Sequence, residues 1–381
     1  MGWAVYYTIS EGEAAIVRCV GDGSPLALPE AIEGCPVTSL GPDCFGAGAG
    51  ASDGLRLVDA AREAPPAPER GPGNLTRLSL PDGVRTIGAR AFARCGQLAR
   101  LTLPRSLTSL GARAFEQCGT LEHIELSDGV TELEEYVFSQ CRKLVRVRLP
   151  ARLARLERQA FYNCVALEAL DLPDTVTFVG SGLFMNCRSL ARLSLPLGIN
   201  LSVLLSDLSN DLDLTVRYPD GAARFFLPGF SYEYEDIIGP RIWRTITHGS
   251  GYLYRECFSS RDVDFDLYES YFDLAQKQDE PAVAARIAWY RLRWPYHLAP
   301  RAREVYLGYL RAHSLSVLEL LLGEDDLEGL DTLLALAPPA PEAREEMLLR
   351  AERSGNVRFA ARLLEGGQAR QDSWADKSFD L

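Results

Sequence analysis

The residues whose types and spacing could do chemistry are few. Asp262, Asp264 and Asp266 alternate as the opening of a calcium loop does. Such a loop needs glycine at its sixth position and a bidentate glutamate at its twelfth. This chain has Leu267 and Asp273 there. An alternating acid run before a helix is better read as a solvated start favoured by the helix dipole. Asp207, Ser209 and Asp211 fail the same test at Leu212. The four histidines (His123, His248, His297 and His313) have no His or Cys at ligand spacing. Cys257 is the cysteine nearest His248, and one such pair is not a site. No G-x-S-x-G, P-loop or G-x-G-x-x-G lies between a strand and a helix. No catalytic residue, cofactor or metal is expected.

The nine cysteines need another explanation, and their spacing supplies it. Cys95, Cys118, Cys141, Cys164 and Cys187 are each 23 residues apart. Phe92, Phe115, Phe138, Phe161 and Phe184 keep the same step, three residues ahead of each Cys. A residue recurring at a repeat period occupies one column of a stack, and self-similarity at such a period marks a solenoid. Free Cys packs as a small hydrophobe, and an odd number in one register argues for reduced core thiols over disulfides.

The elements that carry these columns are short. Strand-like hexads read LTRLSL, LARLTL, LEHIEL, LVRVRL, LEALDL and LARLSL, and Pro81, Pro104, Pro150, Pro173 and Pro196 close all but one, with Ser127 the exception. Alternation sends Leu78 and Leu80 to one face and Arg77 and Ser79 to the other. A second apolar run such as Val84–Ile87 follows, then a turn with Ala and Phe. Val37–Gly41 with Cys44 and Phe45 matches the first half of this unit, so the repeats start near Pro36. Phe45 and Phe92 are 47 residues apart, two periods plus one. The Gly/Ala and Pro-rich stretch 46–73 is therefore read as a degenerate repeat carrying a loop. That makes about seven turns.

The repeated L-x-x-L-x-L-P, V-x-x-I/L-G and A-F-x-x-C (91–95 and 114–118), with VFSQC, AFYNC and LFMNC after them, resemble the BspA-like family of bacterial leucine-rich repeats. The resemblance covers residues ~25–200. It implies a right-handed parallel β solenoid. It also implies kinship with bacterial surface proteins, some of which adhere to host matrix proteins.

The positions that the period leaves free are the outward ones. Between the first pair of apolar positions in successive hexads stand Arg77, Arg100, His123, Arg146, Ala169 and Arg192. The next outward column is Ser79, Thr102, Glu125, Arg148, Asp171 and Ser194. With parallel neighbours ~4.8 Å apart, the first column forms a basic line some ~25 Å long. Stacked like charges repel, so the line suits an acidic ligand. The partner-binding set is Arg77, Arg100, His123, Arg146, Arg148 and Arg192. The plain alternative is a solvated face made Arg-rich by composition, since only three of the forty basic residues are lysine. A cis alternative is pairing with the chain's own acidic carboxy-terminal half. Nucleic acid ranks below protein, because the chain is acidic (pI ≈ 5.0) and the column lacks interleaved aromatics.

The net charge of −12 is uneven. Residues 1–73 carry 4 basic and 10 acidic side chains, residues 74–200 carry 16 and 12, and residues 201–381 carry 20 and 30. The amino-terminal residues 1–36 read as β structure covering the first repeat. Residues 37–200 are the solenoid, and 201–260 a β-rich cap or linker. Residues 261–381 have helical periodicity, with candidate helices over 264–277, 281–294, 300–313, 314–322, 327–336, 341–354 and 357–364. Residues 351–365 are similar to half an ankyrin repeat, without its T-P-L-H signature. Trp374 and Phe379 lie in a polar tail. The fold class is α+β, a solenoid with β caps and then a helical domain. No run reaches ~18 apolar residues and no secretory signal is visible, so the expected compartment is the bacterial cytoplasm, with the cell surface as the alternative. The expected function is a non-enzymatic, protein-binding scaffold. The alternatives are a surface adhesin, or an enzyme with its site in 201–381 that the repeats target.

Overall fold

The computed structural model describes residues 3–21, 25–46, 56–58, 75–237, 242–260 and 262–365. The chain divides into two compact units. One is Met1–Tyr218 with Phe258–Val263, and the other is Pro219–Cys257 with Asp264–Leu381.

The first unit is a β solenoid. Its front row holds eight short strands among the described residues: Leu26–Ala27, Arg77–Ser79, Arg100–Thr102, His123–Glu125, Arg146–Arg148, Ala169–Asp171, Arg192–Pro196 and Leu212–Tyr218. Every ladder recorded between them is parallel, for example Arg77 opposite Arg100, His123 opposite Arg146 and Ala169 opposite Arg192. A back row of two-residue strands runs through Thr86–Ile87, Ser109–Leu110, Glu132–Leu133, Arg155–Leu156 and Phe178–Val179. In the three-residue front strands the middle residue (Leu78, Leu101, Ile124, Val147, Leu170) faces inward, as Leu193 and Leu214 do in the longer ones, and the second residue of each back strand is buried. Neither row has a core of its own, and the two close over one shared column of rings.

That column is continuous. Phe45, Phe92, Phe115, Phe138, Phe161 and Phe184 stack face to face, with centroids 5.0, 5.3, 5.4, 5.6 and 6.0 Å apart. All six rings are buried. The cysteines are tied to the same column. The thiols of Cys118, Cys141, Cys164 and Cys187 donate to the carbonyls of Phe92, Phe115, Phe138 and Phe161, at 3.1–3.2 Å. Each turn therefore hands a weak donor back to the turn before it.

The corners are built on left-handed backbone. Arg90, Arg113, Tyr136 and Gln159 have φ of 56, 60, 58 and 53°, and Arg94, Gln117, Gln140, Asn163 and Asn186 have φ of 65, 61, 62, 59 and 64°. This conformation costs a non-glycine residue roughly 1–2 kcal/mol. Stacking offsets it, because the amides face the next turn. Arg90 N–H donates to Ala112 O at 3.0 Å, Gln117 N–H to Ser139 O at 2.8 Å, and Gln140 N–H to Tyr162 O at 2.7 Å. Glycine is required elsewhere at the corner. A Cβ on Gly88 would lie 2.6 Å from the Gly41 carbonyl carbon and from Pro42 N, and Gly111 and Gly180 abut the backbone of Ala89 and Arg158 in the same way.

The solenoid's start differs from the sequence expectation. The turn of Phe45 lies directly on the turn of Phe92: Ser39 and Leu40 pair with Thr86 and Ile87, and Phe45 N–H donates to Ala91 O. No turn intervenes, so the expected degenerate repeat over 46–73 adds none to the stack. Most of that stretch lies outside the described residues. Its strand Arg56–Val58 pairs antiparallel with Trp3–Ser10, at the edge of a hairpin completed by Glu13–Gly21. Turns are instead gained at Leu26–Ala27 and Leu212–Tyr218, which join the front row without the 23-residue step. Between the last two front strands, Asn200 caps the short helix Leu201–Leu205 by accepting from Val203 N–H.

The second unit has an antiparallel strand pair, Ser231–Ile237 with Ile242–His248, and helices Gly251–Glu256, Phe265–Ser270, Phe272–Gln278, Pro281–Arg293, Pro300–Ala312, Ser314–Glu324, Leu327–Leu336 and Pro341–Arg353. A further helical stretch covers residues 357–365. Pro281, Pro300 and Pro341 each occupy the first helical turn, where a missing N–H costs nothing. The single helix expected over 264–277 is broken at Tyr271, the cap of both pieces. Asp264 accepts from Leu267 N–H at 2.9 Å as the first piece's cap. Trp374 and Phe379 lie outside the described residues.

Two outcomes follow from the buried columns. Phe138 sits mid-stack between two rings, so Phe138→Ala should lower unfolding free energy by about 3–5 kcal/mol, read from the urea midpoint. A shift no larger than that of a surface substitution, about 0.5 kcal/mol, would count against the stack as the core. Burial also pushes the thiols of Cys118 and Cys164 well above the ordinary 9.0, and those of Cys141 and Cys187 up to about 12. Above pH 9 the unfolded chain loses thiol protons that the folded chain keeps. This contribution to stability is therefore complete below pH 9 and is lost as the pH climbs toward 12. Urea midpoints at pH 8 and pH ~10.5 should fall in that order, and the fall should shrink in Cys141→Ala.

Candidate interaction surface

Strand alternation places the expected partner-binding residues on the outer side of the front row. Arg77, Arg100, His123, Arg146 and Arg192 all project outward and are exposed. Backbone pairing sets Arg77 beside Arg100, and His123 beside Arg146. Ala169 interrupts the charge, and Arg192 resumes it one strand later. Adjacent guanidiniums on such strands repel by up to roughly 1 kcal/mol in water. That is too little to disturb the ladder and enough to favour an anion. Among the described residues, the side chains of Arg100, Arg146 and Arg192 have no hydrogen-bond or ion-pair partner.

The second outward column behaves differently. Arg148, the sixth expected contact residue, is ion-paired with Glu125 on the preceding strand. Asp171 accepts from Arg217 at 2.7 Å, and the same guanidinium reaches Asp174 at 2.7 Å and bonds Ser194 and the Leu172 carbonyl. This column is closed on itself. The structure thus groups five of the six expected residues in one line and places Arg148 beside them in a neutralised pair.

The hexad pattern missed the end of the surface. Asp213 and Thr215 continue the two columns, because Leu212–Tyr218 pairs in parallel with Arg192–Pro196, setting Arg192 beside Asp213, Ser194 beside Thr215, and Arg217 beyond them opposite Pro196. The period breaks there, since Leu193 and Leu214 are 21 residues apart. The alternation in LDLTVRY was the signal available.

The other groups with chemical potential are spoken for. Asp264 is a helix cap, and Asp262 accepts from Val263 N–H. No group of three His, Cys, Asp or Glu among the described residues is arranged to hold a metal. His248 bonds Glu233 at 2.9 Å, His313 stacks on Tyr309, and His297 lies against Phe265 and Tyr296. In the second unit, Arg291 is fully buried against Glu269 at 3.0 Å, with Phe225 and Phe265 5.3 Å from its guanidinium. The glutamate's pKa is raised, because burial outweighs the neighbouring guanidinium. A cleft of about 370 Å³ is lined by Leu322, Arg353 and the ion-paired Glu319, Glu346 and Arg350. No helix among the described residues is long and apolar enough to cross a membrane.

Comparison with known proteins points to one family. Residues 71–191 match six copies of the BspA type leucine-rich repeat region. A leucine-rich repeat protein of T. pallidum is 31% identical, with 49% of this chain and 77% of that one covered and a TM-score of 0.42. A leucine-rich cell surface protein of Faecalibacterium prausnitzii is 21% identical over 57% of this chain and 59% of its own, with a TM-score of 0.35. No curated protein matches the chain. The six repeat copies place residues 71–191 in the BspA type leucine-rich repeat family.

Proposed function

We propose that the chain is a non-enzymatic interaction module whose front strands dock an acidic segment of a protein partner. The contrast between the two outward columns carries this reading. Charges in the second column are satisfied by one another, whereas the side chains of Arg100, Arg146 and Arg192 stand exposed without a partner among the described residues. A guanidinium in that state offers a planar fork to a carboxylate, a charge-assisted contact stronger than a neutral hydrogen bond. The line from Arg77 to Arg192 crosses six front strands, about 24 Å, which matches an extended segment of roughly seven residues. Asp213 at the end of the line gives it direction, since an acidic ligand is repelled there. Cation–carboxylate pairs across an open face act mainly on association rate and specificity. The partner is therefore expected to be captured fast and in a salt-sensitive manner.

We place the chain in the cytoplasm. All nine cysteines are free thiols, and eight are buried, which suits a reducing compartment. The cell surface, where the name of the F. prausnitzii relative puts that protein, is the alternative. Cell fractionation separates the two, and recovery only with the envelope would remove the cytoplasmic reading.

A labelled oligoglutamate of about ten residues is a suitable first probe. Fluorescence anisotropy at low salt should show saturable binding to the full chain. Charge reversal at Arg100, Arg146 and Arg192 should weaken it by about tenfold or more with an unchanged circular dichroism spectrum. The same variant should lose partners captured from native lysate by the parent chain. Unchanged affinity for the probe together with unchanged capture would remove the front column from the function. Retained affinity for a chain ending at residue 218, set against a weaker full chain, would mean that the acidic carboxy-terminal half competes for the column.

A further inference from the structure

The solenoid corners hold a second basic feature, separate from the front strands. A cleft of about 380 Å³ is lined by Asp43, Arg90, Arg94, Arg113, Glu116 and Gln117, side chains from three consecutive turns. Five of these residues, all but Glu116, have left-handed backbone, and their amides are already used between turns. Arg90 N–H donates to Ala112 O, Arg94 N–H to Glu116 O, and Arg113 N–H to Glu135 O. The side chains remain available. Arg113 is held in place by Glu116 at 3.2 Å and by the Tyr136 ring, 4.3 Å beneath its guanidinium. Arg90 and Arg94 have no ion-pair partner among the described residues. At the same two corner positions the later turns carry Tyr136 and Gln140, Gln159 and Asn163, then Gly182 and Asn186. Arginine at both positions of one corner is thus confined to the turn that lines the cleft.

We infer that this cleft binds a small phosphate monoester that also carries a hydroxyl or ammonium group. Arg90 and Arg94 line the cleft from one turn, and Arg113, ion-paired with Glu116, lines it from the next turn, ~4.8 Å away. A carboxylate has two oxygens and is satisfied by one fork. A phosphoryl dianion has three and can engage several forks at once. The Gln117 amide adds a neutral donor on the lining. Asp43 would oppose a bare anion, and it accepts from a ligand hydroxyl or ammonium. The cleft is also larger than a lone phosphate needs.

Isothermal titration calorimetry on the full chain tests this, with O-phosphoethanolamine and inorganic phosphate as the two probes. Both should bind saturably, and the monoester more tightly. The double substitution Arg90→Gln with Arg94→Gln should weaken both by about tenfold or more. It should also leave the fold intact, since Gln already occupies left-handed corners at Gln117, Gln140 and Gln159. Asp43→Asn should remove the preference for the monoester, and Arg100→Gln on the front row should change nothing. Absence of saturable binding up to about 10 mM would overturn the inference. So would wild-type affinity in the double variant.

Discussion

Each turn of the solenoid is completed by its neighbours, and the rest of the structure depends on this stacking. A turn of 23 residues cannot bury its own apolar face. It closes only when its ring lies on the ring of the next turn, 5.3–5.6 Å away in the central stack. Offset or parallel stacking of this kind adds roughly 0.5–1.5 kcal/mol per pair beyond burial. The same contact lets polar corner residues adopt left-handed backbone, because the left-handed corner amides from Arg90 to Asn163 find carbonyls on the adjacent turn. Cysteine suits its column for a related reason. It is small enough to sit beside the ring, apolar enough to be buried, and keeps one weak donor for the Phe carbonyl of the preceding turn.

Stacking also separates positions that must repeat from positions that are free. The inward residues repeat because any change opens a gap felt by two neighbours. The outward residues face solvent, and their identity is set by what they meet there. On the front row this freedom yields two unlike columns side by side. One is self-neutralised through Arg148 with Glu125 and Arg217 with Asp171. The other is a line of arginines interrupted only by His123 and Ala169. A face shaped only to stay in solution would be expected to mix signs in both.

The repeat architecture was legible because its signal is redundant. Phe and Cys recur at one step, and Leu alternation in each hexad fixes which side faces in. Most helices of the second unit were equally readable, since Pro at the first turn and apolar spacing mark their starts. The errors have physical causes. The 47-residue gap between Phe45 and Phe92 suggested a hidden turn, yet the two rings stack directly on each other. Leu26–Ala27 and Leu212–Tyr218 were missed as turns because strand pairing depends on alternation and backbone register, which tolerate a broken period. Tyr271 ends one helix and starts another with no Pro or Gly to announce it. Of the surface, the Arg column could be read from spacing. The pairing of Arg148 and the reach of Arg217 across three strands could not, since they depend on side-chain geometry between turns. The corner cleft was invisible for the same reason.

We propose that the unpaired front arginines, and not the repeat as such, meet the partner. Arginine modification with phenylglyoxal, followed by mass spectrometry of the full chain alone and bound to a partner captured from lysate, tests it most directly. The account predicts that Arg100, Arg146 and Arg192 react in the free chain and are protected in the complex, while Arg350, ion-paired in the second unit, reacts equally in both. Equal modification of the three front arginines in the two states, with protection confined to arginines of residues 264–365, would contradict it.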